Sequence, residues 1–228
     1  MSLNPYVISC DVMIEEIRPL LPAGAECEVV EMSLHTRPKM LCKTLQEIID
    51  RIDGAYDLVI LGYGMCGRST IGLVAQKSRL IVPRADDCIA IFLGSQKTLR
   101  AEMAREPGTY FLTRGWLGDG AEGPFAEYDR MVETYGKERA DRLLKKMIGH
   151  YKRIAFIRAE DGGEEEKARA EARTIAKRFD LRYEELDATN SILARMMKGD
   201  WTEDFIVVEP GEAIDTMHFL VGRTAGEK

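Results

Sequence analysis

"LVILGYGMCGRST", residues 58–70, is the stretch from which the rest of the chain is read. An apolar run, Leu58 to Leu61, leads straight into Gly62-Tyr63-Gly64-Met65-Cys66-Gly67, a literal G-x-G-x-x-G. In a dinucleotide-binding fold such a loop brings backbone N–H groups against a pyrophosphate where a helix begins. The same glycines can instead present the thiol of Cys66 at a sheet edge. Arg84 stands about twenty residues on, where a 2′-phosphate would be held, and so favours NADP. Two features count against that reading. The fingerprint belongs on the first strand of its fold and here falls on the third, and a phosphate loop gains nothing from a cysteine.

Working outward, short apolar runs alternate with helical patterns. "YVIS" (6–9), "CEVVEMSL" (27–34), "DLVILGYG" (57–64), "RLIV" (79–82) and "TYFL" (109–112) read as strands. "VMIEEIRPLL", "KMLCKTLQEIIDRI" and the shorter "STIGLVAQK" read as helices between them. Residues 125–149 form a helical stretch broken at Gly136, after which the pattern restarts: strands at 153–159, 181–188 and 204–212, helices at 164–179 and 191–199. Phe156 and Val207 have the same separation as Ile8 and Val59, which suggests a duplicated βαβαβ unit. The expected fold is α/β, two Rossmann-like lobes with mainly parallel sheets. Residues 1–120 form an N-terminal lobe carrying a Cys/His site, 121–150 a helical bridge, and 151–228 a smaller C-terminal lobe.

A net charge of −6 argues against nucleic acid or an anionic membrane as partner. No apolar run reaches the length of a membrane-spanning helix, and the first residues lack the shape of a signal peptide, so a cytoplasmic location is expected. All five cysteines lie at or before Cys88, and their odd number points to free thiols.

Ligands of a parallel sheet bind at the carboxyl ends of its strands. Those ends carry Cys10, then His35 and Arg37, then Tyr63 to Ser69, then Arg84, Asp86 and Cys88, then Arg114 and Trp116. Cys10, Cys66 and Cys88 with His35 form a soft donor set suited to zinc or an iron–sulfur cluster. Arg37, Arg84 and Arg114 would hold an anionic group, with Gly62, Tyr63, Gly64, Gly67, Arg68, Ser69, Asp86 and Trp116 completing a ligand site. Cys27, mid-strand, and Cys42, within a helix, read as core packing.

The motifs "LHTRP", "YDLVILGYGMCG", "IVPRADDCIAIFLGS", "PGTYFLTRGW", "YGKERA" and "GDWTEDFIVVEPG" resemble the bacterial and archaeal domain of unknown function numbered 1638, over roughly residues 5–215. In that family the cysteines of YG-x-CG and PR-x-x-DC recur, which map onto Cys66 and Cys88. A histidine often precedes the last Asp-Cys, where this chain has Asp86. The resemblance implies a setting beside corrinoid-dependent methyl transfer, with a corrinoid protein or methyltransferase as partner. The expected function is a metal-binding protein, zinc first, that binds or transforms a small anionic molecule in corrinoid-linked one-carbon metabolism. A non-catalytic two-lobed protein for a metabolite or tetrapyrrole is the rival, and an NADP-dependent oxidoreductase the third reading.

Overall fold

A computed structural model describes residues 4–117, 124–159 and 165–220. In chain order the elements are β1 (Pro5–Cys10), α1 (Ile14–Ile17), β2 (Glu26–Val30), α2 (Pro38–Ile52), β3 (Leu58–Gly62), β4 (Arg79–Pro83), α3 (Cys88–Phe92), α4 (Gln96–Arg105), β5 (Thr109–Leu112), α5 (Pro124–Tyr135), α6 (Lys137–Ile148), β6 (Arg153–Arg158), α7 (Glu166–Arg178), β7 (Arg182–Asp187), α8 (Ser191–Lys198), β8 (Phe205–Val208) and α9 (Thr216–Leu220). They divide into two units: Met1–Thr98 with Thr189–Lys228, and Leu99–Ala188.

The first unit holds a five-stranded sheet in the order β2-β1-β3-β4-β8, parallel except for β8, which runs antiparallel to β4. Every residue of β1 and β3 is buried, as a strand covered on both faces requires. Helix α2 turns Leu41, Leu45, Ile48, Ile49 and Ile52 inward, an apolar stripe at helical spacing. From β1 the chain passes to β2 on one side; after β3 it passes to β4 on the other. Between the carboxyl ends of β1 and β3 the direction of winding reverses, and such a reversal leaves a crevice.

The β3–β4 connection contains no long helix, and the short one expected over "STIGLVAQK" does not form. Its backbone groups have other partners. The Asp53 carboxylate accepts from the N–H groups of Gln76, Lys77 and Ser78, and the Gln46 side chain bonds both the N–H and the carbonyl of Val74. Gly72 takes a left-handed φ of 89°. Side chains from α2 and its C-terminal cap therefore hold this segment as a loop.

The second unit is a three-stranded parallel sheet, β5-β6-β7. The hairpin α5–α6 turns at Gly136 (φ 75°), as the sequence indicated. Phe125, Tyr128, Leu144, Ile154, Phe156 and Ala172 share one core.

Two strands lie in other sheets than expected. β5, assigned to residues 1–120, pairs with β6; β8, assigned to 151–228, pairs with β4. The equal 51-residue spacing is thus not matched by a repeated sheet, since Phe156 and Val207 belong to different ones. Arg84 explains the placement of β8. Its Nε donates to the Glu203 carbonyl at 2.7 Å, Nη2 to the Phe205 carbonyl at 3.0 Å, and Nη1 to the His218 carbonyl. The returning segment is clamped onto the edge of β4.

Arg153 of β6 is wholly buried and organises the second unit. Its guanidinium bonds Glu102 and Glu184, each at 2.6 Å, and Nε donates to the Thr109 hydroxyl at 3.0 Å. Arg105 holds the Glu102 carboxyl below its usual range, with Arg153 adding to the effect; Arg153 does the same for Glu184, with Arg105 adding. Carboxylates with lowered native pKa values stabilise above the unfolded value of 4.5, and that stabilisation is lost as pH falls. We predict that Arg153→Ala destabilises by about 3 kcal/mol in urea unfolding near neutral pH. The difference from wild type should shrink as pH drops below 4.5. A constant penalty below about 1 kcal/mol would contradict an organising role.

Candidate functional site

Cys10 ends β1, and Tyr63 follows the last residue of β3, so the crevice at the reversal point opens between them. His35 reaches it from the 3-10 turn Met32–Thr36 after β2. Its Nε2 lies 3.5 Å from the Cys10 sulfur, and its Nδ1 lies 3.1 Å from the Met32 carbonyl oxygen. A carbonyl can only accept, so Nδ1 carries the proton and Nε2 is the basic nitrogen. Nδ1 also lies 4.0 Å from the same sulfur, which places the thiol beside the ring rather than on the Nε2 lone-pair axis. The imidazole is also stacked on the Tyr63 ring, with centroids 6.1 Å apart and planes 19° from parallel. The pair is oriented as a thiol beside a base.

Burial pushes the Cys10 thiol up to about 12, although the Val12 N–H donates to its sulfur at 3.4 Å. Burial, and then the proximity of Cys10, pushes Cys66 up as well; the N–H groups of Gly64 and Cys88 face its sulfur and act in the opposite sense. The Tyr63 phenol is raised by burial, then by Cys10 and Cys66. Both thiols are therefore neutral near pH 7. Tyr63 is 1% exposed, and its hydroxyl has no hydrogen-bond partner among the described residues; the same holds for the fully buried Ser69 hydroxyl. The Tyr63 hydroxyl lies close to Cys10 and Cys66 and is a buried donor without an acceptor among the described residues.

The glycine loop is explained by packing. A Cβ on Gly62 would come within 2.7 Å of Ile17 Cδ1, and one on Gly64 within 2.7 Å of the Ala85 carbonyl oxygen. The N–H of Met65 donates to Ala85 O and that of Cys66 to Asp86 O, at 2.8 and 2.9 Å. Those amides are engaged within the protein, and only a 3-10 turn, Cys66–Arg68, follows. A pyrophosphate cradle needs open amides at a helix start, so the NADP reading does not fit this loop. Cys66, Gly67 and Arg68 all have positive φ (44°, 65° and 75°), a conformation costly for the two non-glycines and held by the surrounding bonds.

The other expected residues divide. Cys88 opens α3 and approaches Cys66 through its backbone N–H. Asp86 meets Cys66 through its carbonyl, while its own N–H donates to Gln96. Arg37 and Arg68 stay on the surface of the first unit near the loop, whereas Arg84 is taken up by the β8 clamp. Arg114 and Trp116 follow β5 and belong to the second unit. Among the described residues no group of three or more His, Cys, Asp or Glu side chains is arranged to hold a metal ion, so the four expected ligands do not converge. The sequence reading passed over Asp87, whose carboxylate caps α3 by accepting from Ile89 and Ala90. An aspartate just before "CIAIF" is the local signal for such a cap.

The fold is mixed α/β, with a mostly parallel five-stranded sheet that carries a thiol–imidazole pair at its reversal point. The chain belongs to the family described as "Protein of unknown function (DUF1638)", which matches residues 29–197. The match includes His35, Tyr63, Cys66 and Cys88, and Cys10 precedes it. No curated protein and no solved structure matches the chain. No helix among the described residues is long and apolar enough to cross a membrane.

With its pKa near 12, Cys10 in the His35→Ala variant, which lacks the neighbouring base, should show methylation by methyl iodide that accelerates steadily with pH through 9 and beyond. Peptide mapping across a pH series measures this. A plateau below pH 8 would mean a preformed thiolate.

Proposed function

We propose that the first unit binds a small molecule over the reversal point, and that Cys10 with His35 is the pair that acts on it. The observation carrying this is the adjacent pair: Nδ1 lies 3.1 Å from the Met32 carbonyl oxygen and Nε2 3.5 Å from the Cys10 sulfur, so that a turn of the ring would bring Nε2 onto the thiol. As the thiol reacts, its S–H bond breaks and the proton passes to Nε2; the sulfur bonds the electrophilic carbon, and the leaving group departs with the electron pair of its bond to that carbon. The unpartnered Tyr63 and Ser69 hydroxyls would donate to polar atoms of the bound molecule. The family resemblance supports a setting in corrinoid-linked methyl transfer, with a corrinoid protein or methyltransferase as partner.

A second reading gives the same pair a zinc ion. Tetrahedral zinc, at about 2.3 Å from sulfur and about 2.0 Å from nitrogen, spaces those atoms about 3.5 Å apart. Cys10 and His35 already have that sulfur–nitrogen distance, and a turn of the ring would direct Nε2 to a shared ion. The bound metal would stabilise thiolates that burial alone disfavours.

In the experiment, wild type, Cys10→Ser and His35→Ala are treated with methyl iodide near neutral pH and mapped by mass spectrometry. The proposal expects Cys10 to be methylated and His35→Ala to slow it by about 100-fold. An unchanged rate in His35→Ala contradicts the pair. Zinc content of the same proteins decides the second reading: one ion per wild-type chain, lost in Cys10→Ser, supports it, and equal content in both removes it.

A further inference from the structure

Beside the Cys66 turn, a cavity of about 910 Å³ is lined by the start of α2 and by the 67–71 segment. Pro38, Met40 and Ile71 supply apolar surface, and Met40 is 48% exposed although it is large and hydrophobic. Arg37, Lys39 and Arg68 supply three positive charges, and no acidic residue lies in the lining. In a chain of net charge −6 this is a local reversal of sign. Arg68 reaches the Thr216 hydroxyl at 3.2 Å, and among the described residues none of the three cations is in an ion pair.

The charge is harder to account for because of where it sits. Helix α2 is 15 residues long, lacks a side-chain cap and has no acid in its first turn. Cations at the positive end of a helix repel its dipole, and an anion bound among them relieves both terms. The volume falls within the range of small-molecule pockets, about 300–1,000 Å³. Gly67 and Arg68 join this cavity to Cys66 by a direct chain connection.

The geometry points to this cavity as the seat of an amphiphilic anion: a molecule with an apolar body and a carboxylate, sulfonate or phosphate head. This goes beyond the proposed function, since neither Cys10 nor His35 is in the lining of the cavity. The apolar body lies over Pro38, Met40 and Ile71. The head group is held by Arg37, Lys39 and Arg68, and the far end of the molecule is directed toward the Cys66 turn.

The test uses 8-anilinonaphthalene-1-sulfonate fluorescence with the full chain. Saturable one-site binding is expected, displaced by dodecanoate and far less by dodecanol or inorganic phosphate. Lys39→Gln combined with Arg68→Gln, two exposed changes, should weaken binding about tenfold and reduce its salt dependence. An unchanged thermal unfolding midpoint shows that the variant is folded, and Lys39→Gln alone should give part of the loss. Dodecanol competing as well as dodecanoate, or wild-type affinity in the double variant, overturns the proposal. So does a concentration-dependent dimer abolished by Ile71→Asp, which would make the cavity a protein interface. Methyl iodide, which carries no charge, is applied to the same samples. If Cys10 stays unmodified while the anion pattern holds, the thiol reading fails and this one stands.

Discussion

The parallel pairing of β1 with β3 is the constraint on which the first unit depends. It sets Ser9 beside Gly62, so that Cys10 and Tyr63 emerge next to each other at the carboxyl edge. Because β2 lies outside β1 and β4 outside β3, neither connection covers that edge, and the crevice remains. His35 enters from the β2 side. The Cys66 loop enters from the β3 side and is held by backbone bonds to Ala85 and Asp86, which follow β4. Three connections thus bring a thiol, a base and a second thiol to the same edge of the sheet.

The elements were legible wherever local pattern decides structure. β1, β3, α2 and the α5–α6 break follow from apolar runs, helical spacing and a glycine with φ of 75°. The 69–77 segment was misread because its apolar spacing suggests a helix, while Asp53 and Gln46 bind the amides and carbonyl that a helix would need. The partners of β5 and β8 were not legible either. An apolar strand shows that it must pair, but its neighbour depends on long-range contacts such as the Arg84 clamp.

The site was partly legible for the same reason. Listing the residues past each strand located Cys10, His35 and Cys66, because a parallel sheet fixes that edge. The same listing overcounted the arginines. Arg84 binds backbone carbonyls, which leave no mark in the sequence, and Arg114 belongs to the other unit. The G-x-G-x-x-G glycines are required, but by Ile17 and the Ala85 carbonyl rather than by a pyrophosphate. The orphaned Tyr63 hydroxyl could be found only from burial and hydrogen-bond partners.

On the proposed reading, neutral thiols, an adjacent imidazole and an unpartnered phenol form a site that takes a soft or electrophilic molecule. The orientation of His35 is the central claim, and nitrogen-15 NMR of the imidazole tests it most directly. For the neutral form of the ring the account predicts the proton on Nδ1 and a bare Nε2. A ring protonated on Nε2 alone, with Nδ1 bare, would contradict it, because Met32 would then face a lone pair and Cys10 would have no base.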